Sequence, residues 1–179
     1  PHFVSGTHAL ATTLLAIMGN GDKGKEFVYA VGQPYDTMQT VIGSNRETRG
    51  SLVEKGFIYK EAKLKDDHYD LAAIESAVNE NTRVVVIQRS RGYSTRQPLS
   101  VEDIGKIVAV VKKKNPNTVT FVDNCYGEFT ETREPLEVGA DIMAGSLIKN
   151  AGGGIAPTGG YVVGRADLVE DTAYQLTAP

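Results

Sequence analysis

Apolar, β-branched runs alternate with stretches of helical periodicity along this chain, and few folds accommodate that order. "EFVYAV" (26–31), "FIYKEA" (57–62), "RVVVIQ" (83–88), "TVTFVD" (118–123), "DIMAGS" (141–146) and "GYVVG" (160–164) read as strands. Between them lie helical patterns: Thr7 to Met18 with Ala9, Leu10, Leu14, Leu15 and Ile17 on one face, a short helix after Tyr35, "SLVEKG" (51–56) with a glycine stop, and "DLAAIESAVNE" (70–80). A further helix runs through "VEDIGKIVAVVKKKN", opened by Ser100 with Asp103 three residues on in a capping box. Strands that are apolar throughout need cover on both faces. The expectation is therefore an α/β domain spanning 1–179, built as three layers, α/β/α, around a mainly parallel sheet. No repeat, linker or low-complexity segment divides it.

Composition removes several function classes. With 19 basic and 22 acidic residues and no long basic block, the chain carries no electrostatic footprint for nucleic acid. The lysines at 112–114 are placed to complement a helix C-terminus. No run approaches the roughly 20 apolar residues of a membrane span, and no secretory leader pattern opens the chain. A cytoplasmic protein without nucleic-acid or membrane partners is expected. The single cysteine, Cys125, lacks the spaced partners of a zinc site, and His2, His8 and His68 show no metal-ligand spacing, so no metal is expected.

In a parallel sheet, ligands gather where strands end and loops lead into helices. Four such loops carry unusual chemistry here. "SGTHA" starts the first helix, so the backbone of Gly6 and Thr7 stands where a phosphate would be attracted, although a simple capped helix would look the same. Tyr35 lies in the loop after the first strand. "FVDNCYGE" delivers Asp123 to the end of an apolar strand and Tyr126 three residues later. A carboxylate there either meets a cation, such as a protonated pyridine nitrogen, or caps the next turn. Finally, Lys149 follows "DIMAGSLI", with Ser146 before it and glycines at 152–154, 159 and 160 after it. A lysine at a crowded site attacks aldehydes to form a Schiff base; a surface lysine does nothing of the kind.

Taken in order, "SGTHA", "PYDT", "IQRS", "DNCYGEF" and "GSLIKN" followed by "GGG" resemble the large domain of fold type I pyridoxal-phosphate (PLP) enzymes. Within that fold the chain is most similar to the methionine γ-lyase-like group, often labelled aluminium resistance proteins. The resemblance covers essentially all of the chain. It implies that Lys149 forms the Schiff base with PLP and that Asp123 pairs with the pyridine nitrogen. Gly6 and Thr7 would offer N–H groups to the phosphate, with the Ser146 hydroxyl beside them. Tyr35 would stack on the ring and serve as the acid for a leaving group, and Tyr126 would hydrogen-bond the ring's phenolic oxygen.

The resemblance further implies a carbon–sulfur lyase acting on a sulfur amino acid, in a homodimer or homotetramer. It also implies that the chain is a piece of a longer protein, without an N-terminal segment and a smaller C-terminal domain. An aminotransferase or a β-lyase would use the same anchors. A phosphate- or nucleotide-binding module is the alternative of another class, though Lys149 precedes the glycines instead of following them as in G-x-x-x-x-G-K-[ST]. Three departures from the better-known γ-lyases concern specificity. Ile148 replaces a hydroxyl residue before the lysine, His8 replaces a small residue, and "IQRSRGY" replaces a Pro-Asn loop, which leaves the roles of His8, Gln88 and Arg91 open.

Overall fold

A computed structural model describes residues 2–19, 24–150 and 152–177. Six strands form one sheet in the order β2-β1-β3-β4-β5-β6. These are β1 (Glu26–Tyr29), β2 (Ile58–Glu61), β3 (Thr82–Gln88), β4 (Val119–Asp123), β5 (Ile142–Ser146) and β6 (Gly160–Gly164). Strands β1 to β5 pair in parallel, and β6 runs antiparallel along β5. The helices are α1 (Gly6–Met18), α2 (Asp36–Ile42), α3 (Leu71–Ala77), α4 (Val101–Lys114) and α5 (Ala166–Thr177), with a 3-10 turn at Pro135–Val138.

Successive strand residues feed opposite faces of the sheet. Phe27, Tyr29, Val84, Val86, Phe121, Ile142 and Ala144 pack with α1, α2 and α5 through Leu10, Leu14, Met38, Ile42 and Leu168. Val28, Val85, Ile87, Val122 and Met143 pack with α3 and α4 through Ile74, Ile104 and Ile107. The three-layer expectation is met. The apolar stripe of α4 and its capping box also form as read: the Ser100 hydroxyl accepts from Asp103 N, and the Asp103 carboxylate accepts from Ser100 N.

Two local readings change. "SLVEKG" (51–56) is a series of tight turns, not a helix. Gly50 and Gly56 bracket it with φ of 81° and 95°, the Gly50 N–H donates to the Glu54 carboxylate, and Gly56 N already bonds Val53 O at 3.0 Å. The span left between the two glycines is barely one turn, too short to recover the cost of nucleating a helix. Strand β1 ends at Tyr29, two residues early, because Ala30 and Val31 turn toward the loop that carries Tyr35.

Candidate active site

The C-terminal ends of β1, β3, β4 and β5 converge on one side of the sheet, and a cavity of about 810 Å³ opens there. Tyr35, Asp123, Tyr126 and Lys149 all line it. Asp123 is the last residue of β4 and is 4% exposed. No ion pair reaches it among the described residues; its Oδ1 accepts the Cys125 N–H at 3.1 Å. Burial raises its pKa, and the Cys125 bonds and the charge of Lys149 pull against that rise without cancelling it. Of the two sequence alternatives for Asp123, the structure shows the capped turn, and among the described residues the buried carboxylate has no ion-pair partner.

Lys149 sits in the turn that follows β5, with Nζ 4.3 Å from the centre of the Tyr126 ring. Tyr126 holds φ at 69° and is more than half exposed, so it presents a ring face to the ammonium. Asn150 fixes this loop by donating from Nδ2 to the carbonyls of Tyr126 (2.7 Å) and Glu128 (3.2 Å). The glycines after Lys149 answer to the same turn. A Cβ on Gly152 would stand 1.9 Å from Leu147 O, and one on Gly153 would stand 2.4 Å from Lys149 O.

Tyr35 is tied to the start of α1, its hydroxyl 3.0 Å from Thr7 Oγ1. Burial raises the phenol's pKa; the Thr7 bond lowers it and Asp123 raises it further, which leaves it protonated. The Ser5 hydroxyl caps α1 through His8 N, while the Gly6 and Thr7 N–H groups, as first-turn donors, have no acceptor within the helix. A Cβ on Gly6 would come within 2.7 Å of the Ser146 Cβ, so this helix start rests directly on the end of β5. All of the residues singled out thus lie on one side of the sheet. His8 has a structural place there: its Nδ1 accepts Val4 N at 3.2 Å, and its ring meets Phe3 edge-on. Gln88 reaches back to the Tyr35 loop, accepting Tyr35 N at 3.2 Å.

Sequence reasoning passed over a second layer. Buried Arg89 binds Asn124 Oδ1 (2.8 Å), Thr130 Oγ1 (3.2 Å) and the carboxylates of Glu131 (2.7 Å) and Glu134 (3.4 Å). Gly127 must lack a side chain because its Cβ would lie 2.3 Å from Arg89 Cδ. Arg96, 3% exposed, donates to the carbonyls of Gln88, Ser90 and Gln97, and burial lowers its pKa to about 10. Glu128 accepts the Tyr161 hydroxyl at 2.8 Å on one oxygen, while its buried Oε2 has no partner among the described residues. The available signal was three arginines within eight residues of one loop, at 89, 91 and 96.

Among the described residues, no group of three His, Cys, Asp or Glu is placed to hold a metal ion, and no helix is long and apolar enough to cross a membrane. A mostly parallel sheet with a lysine, an aspartate and a helix start gathered at its C-terminal edge defines an α/β protein of the PLP-dependent fold. The Escherichia coli PLP-dependent protein YhfS shares that fold, with a TM-score of 0.72 at 20% identity over 99% of this chain and 42% of its own. The chain belongs to the methionine gamma-lyase family, whose profile matches residues 1–179. It is 45% identical to YnbB of Bacillus subtilis (strain 168) over all of this chain and 42% of that protein. The carbon-sulfur lyase involved in aluminum resistance from Clostridium novyi NT superposes with a TM-score of 0.89 at 49% identity, over 99% of this chain and 42% of its own. The chain thus spans less than half the length of these relatives.

Proposed function

We propose that this chain forms the cofactor-binding part of a PLP-dependent carbon–sulfur lyase that acts on a sulfur-containing amino acid. The observation that carries the reading is the meeting of Lys149, Asp123, Tyr35 and Tyr126 around one cavity. The residues present fit PLP: Asp123 is a buried carboxylate short of a cation, and the α1 start beside Ser146 supplies donors for an anion. When bound, PLP supplies an electron sink that stabilises negative charge developing at the substrate's Cα.

The chain's own residues do the rest. With PLP bound, Asp123 would hold the proton on the pyridine nitrogen, and the Gly6 and Thr7 N–H groups with the Ser146 hydroxyl would bind the phosphate. Tyr35 would cover the ring, and Tyr126 would orient the Lys149 amine. Lys149 moves the proton at Cα and then at Cβ. The Tyr35 phenol, kept protonated by burial, holds the proton for the departing thiolate. Exposed Tyr93, Phe129 and Ile155 support cover by further protein. That cover would come from a homodimer or homotetramer and from the remainder of a longer chain, in the cytoplasm.

Borohydride reduction of the full-length, PLP-treated protein, followed by peptide mass mapping, tests the cofactor assignment. A pyridoxyl adduct on Lys149 is expected. Lys149→Ala should abolish it and lower lyase turnover by at least about 10²- to 10⁴-fold. An adduct on another lysine, or none on folded protein, overturns the reading. Release of ammonia, a 2-oxo acid and a thiol marks the lyase; pyridoxamine phosphate without thiol marks an aminotransferase instead.

A further inference from the structure

Lys149 works from a turn, and a turn places a side chain only as well as its own anchors allow. Its amine must meet the cofactor's aldehyde carbon, where a C=N bond forms, the C=O bond breaks and water leaves. A displacement of about 1 Å between reacting groups can cost roughly 100-fold in rate. Lys149 and Asp123 must serve one ring, yet Asp123 closes β4 while Lys149 follows β5. The ladder between these strands ends at Asp123 and Ala144, with one further bond from Asn124 N to Ala144 O (2.9 Å), well short of Lys149.

Asn150 makes the missing connection. Its Nδ2 donates to the carbonyls of Tyr126 (2.7 Å) and Glu128 (3.2 Å), so the residue after the lysine is bound to the loop that leaves Asp123. That loop is a fixed acceptor. Glu128 is 7% exposed and takes the Tyr161 hydroxyl of β6 on Oε1 at 2.8 Å, and the same oxygen would lie 2.5 Å from a Cβ on Gly145 of β5. Asn124, at the root of the loop, accepts from buried Arg89 at 2.8 Å. A clamp therefore runs from β5 and β6 through Glu128 to Asn150, and Lys149 Nζ lies at its end, 4.3 Å from the centre of the Tyr126 ring. An amide suits the position because both Nδ2 hydrogens go to carbonyls, which a carboxylate of the same shape cannot supply.

Resting on the function proposed above, we infer that Asn150 is the positioning residue for Lys149: its amide ties the lysine's turn to the loop at 126–128 and sets where the amine meets the aldehyde. Full-length, cofactor-free protein carrying Asn150→Leu, similar in size but without donors, or Asn150→Ala tests this with two ligands. PLP has the ring, the phosphate and the aldehyde. Pyridoxamine phosphate has the ring and the phosphate but an amine in the aldehyde's place, so it fills the site without joining Lys149. Affinity for each is read from ligand absorbance, and borohydride mapping follows the Lys149 adduct.

Loss of the two hydrogen bonds is expected to weaken PLP about 10- to 30-fold and to slow adduct formation on Lys149 by a similar factor, with pyridoxamine phosphate within about twofold of wild type. Damage to the site as a whole would weaken both ligands together. Equal weakening of both, or PLP within about twofold of wild type in either folded variant, overturns the Asn150 assignment and leaves the cofactor reading standing. Lack of a Lys149 adduct in the wild type overturns that reading, and the inference with it.

Discussion

Asp141 and Asp123 stand at the margins of neighbouring strands, Asp141 just before β5 and Asp123 at the end of β4, but at opposite ends of the sheet. Asp141 is saturated: Lys112 at 2.6 Å and Arg165 at 3.3 Å pair with it, and Thr120 donates to it from N at 2.7 Å and Oγ1 at 2.9 Å. Burial pulls its pKa up, but Lys112 and Thr120 bring it below the ordinary carboxylate range. Asp123 is the more deeply buried of the two and has no compensating ion pair among the described residues, so its pKa moves the other way. Glu128, with one buried oxygen unpartnered among the described residues, resembles it. At the cavity end Arg89 pairs Glu131 and Glu134, yet Asp123 and one oxygen of Glu128 keep no charged partner among the described residues, whereas Asp141 at the opposite end is fully paired. Buried groups left in this state mark the cavity end as the candidate ligand end.

Removing Asp141 should break the comparison most severely. Asp141→Ala leaves the Thr120 N–H without its side-chain acceptor and Lys112 with the Thr118 carbonyl but no counter-ion, and we expect a loss of about 2–3 kcal/mol, read as a lower urea midpoint at unchanged slope. The pH dependence has a definite sign. A depressed carboxylate contributes stability that is present above its unfolded pKa and disappears as pH falls through the folded value. The variant should therefore lose the acid limb of the wild-type stability profile. A midpoint unchanged at neutral pH would show that this end of the sheet is not held by its charges.

At the other end the sign reverses. A raised carboxylate binds its proton more tightly in the folded state, so it lowers stability as pH rises above the unfolded value. Asp123→Asn keeps an acceptor for Cys125 N and removes the buried charge. We expect the cofactor-free variant to be more stable by about 1 kcal/mol at neutral pH, with the difference vanishing in acid. On the function proposed above, its affinity for PLP should fall, because the pyridine nitrogen would lose its counter-ion. A cofactor-free variant less stable than wild type at neutral pH would mean that Asp123 is already satisfied, and the two ends would cease to differ.

The same contrast explains what was legible in the sequence. Layering, parallel pairing and both cores follow from "RVVVIQ" and "TVTFVD", because unbroken apolar strands have few alternatives. The places of Asp123, Lys149 and the α1 start could be read because they end a strand, lie in the turn just after one, and open a helix, where position follows from local pattern. "SLVEKG" misled because its composition suits a helix while the glycines at 50 and 56 leave room for one turn only. Arg89, Arg96 and Glu128 stayed hidden for another reason: their partners lie on other loops, and burial of a charged side chain is a tertiary outcome that no spacing encodes. Tyr126 was read as a partner of the cofactor ring, but its contact with Lys149 depends on a left-handed backbone that the residue type does not announce.

The smallest expected effect sharpens the comparison at the saturated end. Glu26, at the start of β1, accepts from Lys60 and from Asn79 Nδ2, each at 2.7 Å. Lys60 belongs to β2, which pairs with β1 alone, and its side chain is about a third exposed. Solvent and salt therefore screen the pair, and losing it leaves Glu26 with one buried-side donor still in place. Lys60→Gln should cost only about 0.5 kcal/mol by denaturant midpoint, and that cost should shrink further at about 1 M salt. If this end of the sheet is neutralised redundantly, single exposed partners are dispensable there and only a shared hub such as Asp141 is not. A loss above about 2 kcal/mol would show instead that Glu26 depends on that one lysine and that pairing at this end is not redundant.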